Sequence, residues 1–94
     1  MRIVGRDKLD EFCRDYADSR KWISNWIADS NSANWRTPQD IKDQYASVSI
    51  LAGNRVIFNV KGHHYRMEVQ VAYNTGVIVI LWIGTHAEYT KRLS

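Results

Sequence analysis

From Ser47 onward the apolar residues alternate with period two, broken by three short turn sequences: Ala52-Gly53-Asn54, Gly62-His63 and Asn74-Thr75-Gly76. Alternation of this kind marks strands. Connections of two or three residues can join only antiparallel neighbours, since a parallel pair needs a crossover of about a dozen residues or more. The second half of the chain is therefore expected to form a four-strand meander over 47–51, 55–61, 65–73 and 77–84. A meander with one apolar face must be covered by something, and the first half supplies the cover.

That first half opens with a strand-like run over 1–4. Asp7 is the expected cap of a helix whose stripe is Leu9, Phe12, Cys13 and Tyr16, at spacings of three and four. A second helix is expected from Asp18 or Ser19. Trp22, Ile23, Trp26 and Ile27 share one face of it, and it should fray over 31–34, where Ser and Asn compete for backbone hydrogen bonds. Thr37-Pro38-Gln39-Asp40 has the pattern of a third start: a threonine cap, proline in the first helical position and an acid in the first turn. This third helix should end near Tyr45. The reading is an α+β fold, a single domain over 1–94, with an antiparallel sheet of four to five strands and two to three helices packed on one face.

The turns also set the register. A two-residue loop at Gly62-His63 puts Lys61 opposite His64 and Asn59 opposite Arg66. A three-residue loop over 74–76 puts Tyr73 opposite Val77 and Arg66 opposite Gly84. One face then collects Val56, Phe58, Val60, Met67, Val69, Val71, Val79, Leu81 and Ile83, the side for the helices to bury. The other shows Ile57, Asn59, Arg66, Glu68, Gln70, Ile78, Ile80, Trp82 and Gly84. Its apolar members, Ile57, Ile78, Ile80 and Trp82, form too large a patch for a monomer to leave bare, so a partner segment or the chain's own terminus should cover part of it.

Composition narrows the class. The chain is 45% hydrophobic and 24% charged, the balance of a globular protein. Its longest apolar run, 77–83, is of strand length and far short of the ~20 residues of a membrane span. The start, Met1 to Asp7, lacks the apolar stretch and cleavage site of a secretory signal. Cys13 is the only cysteine, which excludes an internal disulfide and a cysteine-based zinc site. A reduced, cytoplasmic location is expected. The formal charge of +3 is unevenly placed: eight basic and eight acidic side chains cancel over 1–46, whereas 47–94 holds five basic residues against two acidic ones. Such an excess suits an anionic partner, nucleic acid being the commonest, although it also serves solubility.

Arg66 stands mid-sheet on the polar face, near the Gly62 turn. His86 follows Gly84 by two residues and should emerge on the same side, with Tyr89 shortly after and Lys61 on the neighbouring strand. A cation, an imidazole and a phenol gathered in this way suit phosphodiester chemistry on RNA without a metal. The 2′-hydroxyl must lose a proton as it attacks phosphorus, the pentavalent oxyanion needs cationic donors, and the 5′-oxygen must gain a proton as it leaves. Arg66 offers a planar fork for phosphate oxygens, His86 an acid or base near neutrality, Tyr89 a proton or a stacking surface, and Lys61 electrostatic stabilisation. Each residue also has a structural reading. Arg66 is then a partner for Glu68 or Glu88, Thr85-His86-Ala87-Glu88 opens a helix turn, and Tyr89 plugs the core. His63-His64 reads as a turn, since neighbouring strand residues project to opposite faces and no acid or cysteine lies at ligand spacing.

Three stretches taken in order resemble a known family. They are Ala33-Asn34-Trp35-Arg36-Thr37-Pro38-Gln39-Asp40-Ile41-Lys42, then Val56-Ile57-Phe58-Asn59-Val60-Lys61-Gly62 with His64-Tyr65-Arg66, and finally Ile83-Gly84-Thr85-His86-Ala87-Glu88-Tyr89. Together with the Met1-Arg2-Ile3-Val4 start, they resemble the HigB toxins of type II toxin–antitoxin modules, within the RelE-like superfamily. The resemblance implies a small α/β fold with a helix-backed antiparallel sheet. It also implies an mRNA interferase acting in the ribosomal A site, without a cofactor, and a HigA-type helix-turn-helix antitoxin as partner. By that resemblance Arg66 is the sheet arginine that contacts the scissile phosphate, and His86 and Tyr89 are the acid/base pair. Lys61 and Lys91 stand for the superfamily's lysines, and Asn59 and Arg92 complete the expected RNA-contacting set. The chain is only mildly basic beside many RelE-like toxins. A non-catalytic RNA- or protein-binding module keeping the toxin fold is the alternative reading.

Overall fold

The computed structural model describes residues 1–92. Five strands, β1 (Arg2–Val4), β2 (Ser49–Leu51), β3 (Arg55–Val60), β4 (Tyr65–Ala72) and β5 (Val77–Thr85), form one sheet in the order β1-β5-β4-β3-β2. β2 to β5 are the antiparallel meander expected from the short turns, and β1 joins the far edge parallel to β5. Helices α1 (Arg6–Asp15), α2 (Arg20–Ser32) and α3 (Pro38–Gln44) cover one face, and a 3-10 turn over Ala17–Ser19 links α1 to α2. A fourth helix, α4 (His86–Arg92), follows β5 and lies against the opposite face. The architecture is α+β, compatible with a RelE-like fold. Among the described residues no helix is long and apolar enough to cross a membrane.

Local chemistry explains the helix starts, with one correction. Thr37 caps α3 as expected: its Oγ1 accepts from the Asp40 amide at 3.3 Å, and Asp40 Oδ2 accepts from the Thr37 amide at 3.1 Å. α1, by contrast, does not begin at an Asp7 cap. Its cap is Gly5 at φ +91°, with no side-chain hydrogen bond, and Asp7 lies inside the first turn. Glycine is needed there both for the left-handed backbone and for space, because a Cβ would sit 3.2 Å from the carbonyl oxygen of Ile80.

The register holds on three strands and changes part-way along the fourth. Asn59 pairs with Arg66, and Arg66 with Gly84, as the turn lengths require. Between Glu68 and Val69 the β4–β5 ladder carries a bulge: Glu68 faces Trp82, but Val69 faces Ile80. The turn over 73–76 consequently has four residues, with Ala72 opposite Val77. Ile78 and Ile80 therefore enter the core, at 0% and 2% exposure, while Leu81 is exposed. This reverses the expected faces of Val79 and Leu81 against Ile78 and Ile80, while Trp82, Ile83 and Gly84, beyond the bulge, stay as assigned. An unbroken apolar run has no polar residue to betray an extra one.

The core is built from Leu9, Phe12 and Cys13 of α1, Ile23 and Trp26 of α2 and Ile41 of α3, against Val56, Phe58, Val60, Met67, Val69, Val71, Ile78 and Ile80. Aromatic edges lock the layers: Trp26 meets Phe58 edge-on at 5.4 Å, and Phe12 meets Tyr65 at 5.1 Å. On the other face, the expected bare patch shrinks once Ile78 and Ile80 are removed from it. What remains is crossed by the chain's own last helix.

Candidate active site

Three features fix α4 on the sheet. Thr85, the last residue of β5, and Glu88 form a reciprocal cap: Thr85 Oγ1 accepts from the Glu88 amide at 3.1 Å, and Glu88 Oε1 accepts from the Thr85 amide at 2.8 Å. The His86 amide donates to the His64 carbonyl at 3.2 Å, tying the helix start to the β3–β4 turn. Farther along, the Arg92 guanidinium lies 4.5 Å from the Trp82 ring, and its Nη1 is 3.6 Å from Glu68 Oε1. Trp82 itself folds over Gly84, where a Cβ would stand 2.5 Å from the indole. Glycine at 84 leaves the room the ring occupies.

These constraints bring His86 and Tyr89, three residues apart and so on one side of the helix, onto Arg66. Arg66 Nη2 is 3.2 Å from His86 Nε2, and its Cζ lies 4.8 Å from the Tyr89 ring centroid. Tyr89 in turn rests 6.1 Å from Trp82. Arg66 and Tyr89 are half-buried and His86 is exposed. A guanidinium has only donors, so in this hydrogen bond the imidazole nitrogen must accept. Nε2 then presents a lone pair, and the ring proton resides on Nδ1.

The structural reading of Arg66 fails on its partners. Glu68 takes Arg55 at 3.2 Å and Arg92 at 3.6 Å, and the Glu88 carboxylate is engaged in the cap of α4. Among the described residues no carboxylate lies within ion-pairing distance of Arg66. Its Nε–H, buried, meets no acceptor there either. The half-buried guanidinium is therefore met by an imidazole nitrogen and an aromatic face rather than by an anion.

The remaining expected residues divide. Asn59 stands directly across from Arg66, its side-chain amide donating to the Ser47 carbonyl at 3.2 Å. Lys91 is exposed on α4. Lys61 adopts φ +51° in the turn and its Nζ pairs with Asp18 Oδ2 at 3.0 Å, while Arg92 is held by Glu68 and Trp82. Arg92 is thus a partly neutralised cation beside Trp82, whereas Lys61 is drawn toward the helix-covered face, where Asp18 also holds Tyr65 against Phe12 and Tyr16, and is not brought to Arg66. His63 is exposed in the turn, and among the described residues no three His, Cys, Asp or Glu side chains are grouped to hold a metal ion.

Asp18 is the residue that sequence reasoning missed. Besides Lys61 it accepts from Tyr65 Oη at 2.7 Å, bracing the β3–β4 turn from 43 residues away along the chain. The Tyr65 and Lys61 hydrogen bonds hold its carboxyl below the usual aspartate range. The same carboxylate pushes the Tyr65 phenol up to about 12. Nothing local in the sequence signals so distant a pairing. The cap of α4 was legible, since Thr85-x-x-Glu88 is a capping-box pattern.

Comparison with protein families finds a match over most of the chain. The model of the HigB toxin, described as the RelE-like toxic component of a toxin–antitoxin system, covers residues 19–92 and so includes Arg66, His86 and Tyr89. No curated protein matches the chain significantly.

Proposed function

Because the chain belongs to the HigB toxin family, the RelE-like toxic component of a toxin–antitoxin system, we propose that its toxicity is that of a metal-independent endoribonuclease cutting mRNA in the ribosomal A site. The family implies an antitoxin; we take it to be a HigA-type helix-turn-helix protein, and the site of action to be the cytoplasm. The whole chain acts as one toxin domain.

The observation that carries this reading is the Arg66–His86 contact at 3.2 Å, with the guanidinium lacking an anion among the described residues. A ribose-phosphate linkage entering the site supplies that anion. Arg66 turns its donors to the non-bridging oxygens and releases His86 Nε2, which takes the proton of the 2′-hydroxyl. The O2′–P bond forms and the P–O5′ bond breaks, leaving a 2′,3′-cyclic phosphate and a 5′-hydroxyl. Tyr89, against the guanidinium, stands where it can pass a proton to the departing O5′ and stack on a base. Arg66 stabilises the charge that develops on phosphorus. Lys91 and the side-chain oxygen of Asn59, whose amide is held by Ser47, are left for neighbouring nucleotides; Arg92 adds partly neutralised charge, and Lys61 reaches RNA only by leaving Asp18. DNA is excluded because it lacks the nucleophile.

Cleavage of a defined mRNA, with and without ribosomes and with and without a chelator, tests the proposal. His86→Gln should slow cutting by about 10²–10⁴-fold, the usual contribution of a general acid or base, and the chelator, applied to ribosome-free RNA because ribosomes themselves need magnesium, should leave any cutting there unchanged. Undiminished cutting by His86→Gln would sink the assignment. A second reading rests on the neutralised Lys61 and Arg92, which leave little free positive charge for RNA. In it the chain is a non-catalytic binding module, Arg66→Ala alters binding, and no cut RNA is found by primer extension.

A further inference from the structure

A groove of about 340 Å³ runs along one side of the molecule, between α1 and β5. Its strand wall is Leu81, Trp82, Ile83 and Gly84, four consecutive residues. Alternate residues of a strand point to opposite faces, so a groove touching four in a row lies along the strand's edge. The edge is open there: β1 pairs with β5 only over Val77–Val79, after which Gly5 turns the chain away into α1. The opposite wall is Lys8, Glu11, Phe12 and Asp15, spaced as one face of α1. An unpaired strand edge facing an amphipathic helix is a template for an added strand.

Charge selects the occupant. The rim holds Glu11, Asp15 and Glu88 against Lys8, three acids to one base on a chain that is +3 overall. RNA phosphates are repelled from such a rim. Apolar anchorage is present beneath it, in Phe12, Tyr16 and the exposed Leu81.

We propose that this groove seats an extended segment of the antitoxin, of about four residues at ~3.3 Å each, which pairs with the free edge of β5 and carries lysine or arginine toward Glu11, Asp15 and Glu88. The inference rests on the toxin reading and adds to it where the partner binds. The segment would lie beside Gly84 and Glu88, at the root of the helix that carries His86 and Tyr89, and so touches the catalytic element from behind rather than filling the RNA site.

The test is amide hydrogen exchange of the full chain, alone and saturated with its cognate antitoxin, together with the double charge reversal Glu11→Lys/Asp15→Lys. Protection of 81–84 in the complex is expected. The double variant should remain toxic on its own yet bind the antitoxin about tenfold more weakly, more so at low salt. Unchanged exchange over 81–84 in the saturated complex, or full neutralisation of the double variant at wild-type affinity, overturns the proposal and leaves the nuclease reading intact. Concentration-dependent protection of 81–84 in the chain alone also overturns it, in favour of pairing between two copies. A wild-type chain that never cuts RNA defeats the nuclease reading instead, and the exchange data still report where the antitoxin sits.

Discussion

Gly84→Ala is the sharpest test of how the sheet positions the last helix. The backbone at 84 is not left-handed, so the substitution acts through space alone. Its new methyl would lie 2.5 Å from Trp82 Cζ2, 2.7 Å from Cη2 and 3.1 Å from Glu88 Oε1. Ordinary carbon contacts are about 3.5–4 Å, so the indole must retreat by roughly 1 Å. It retreats against Arg92, 4.5 Å away, and Tyr89, 6.1 Å away. Overpacking typically costs about 1–3 kcal/mol, and Trp82 is only half-buried, with room to move outward. Weakening the cation–π contact adds about 0.5–1 kcal/mol. We expect a net loss of about 2 kcal/mol in urea unfolding. In a Trp82→Ala background there is no ring to displace, and the same substitution should cost less than about 0.5 kcal/mol; the difference is the coupling energy of the cycle. Because His86 and Tyr89 travel with α4, Gly84→Ala should also reduce RNA cleavage by up to about a hundredfold, the scale associated with a 1 Å misplacement. Stability within about 0.3 kcal/mol of wild type, or an equal penalty in both backgrounds, would refute the reasoning (both limits lie near the usual error of additivity).

Thr85→Ala removes half of the α4 cap and should cost about 0.5–2 kcal/mol, with a larger proportional loss of cleavage, measured by urea midpoint and by a ribosome-dependent cutting assay. Arg66→Lys keeps the charge but loses the planar fork; cleavage should drop nearly as far as in Arg66→Ala while circular dichroism stays unchanged. The pH profile of stability follows two groups. The depressed Asp18 carboxyl stabilises the fold above the ordinary aspartate value of 3.8, and that contribution disappears as pH falls through its lower folded value. The raised Tyr65 phenol stabilises the fold below pH 10, and its contribution disappears as pH climbs to about 12. Asp18→Asn should flatten the acid limb and Tyr65→Phe the alkaline limb of a plot of urea midpoint against pH; unchanged limbs would detach Asp18 from the stability of the turn.

The sequence carried the meander, the third helix and the Arg66–Gly84 register because each rests on short-range chemistry: turn length, a threonine cap, period-two alternation. It also placed Arg66, His86 and Tyr89 on one side, since the lower part of β5 keeps its phase up to Thr85. It misplaced Val79, Leu81, Ile78 and Ile80 because binary patterning is blind within a run that is apolar throughout. The Asp7 cap failed for a different reason. Gly5 begins α1 under a steric demand set by Ile80, a residue 75 positions away, and packing outweighed local capping preference. Asp18 was invisible for the same kind of cause.

The bulge in β5 decides which of two alternating apolar sets the upper part of that strand turns inward. Ile78 and Ile80 are inside; without the extra residue the same alternation would turn Val79 and Leu81 inward, a set smaller by about one methylene. Contacts at its ends agree with that register: β1 paired alongside Val77–Val79, Gly5 pressed on Ile80, and the four-residue reversal at Gly76. The toxin thus contains a strand whose upper half is held at its edges as well as by its interior, while the lower half, paired from Trp82 opposite Glu68 to Thr85 opposite Tyr65, launches α4.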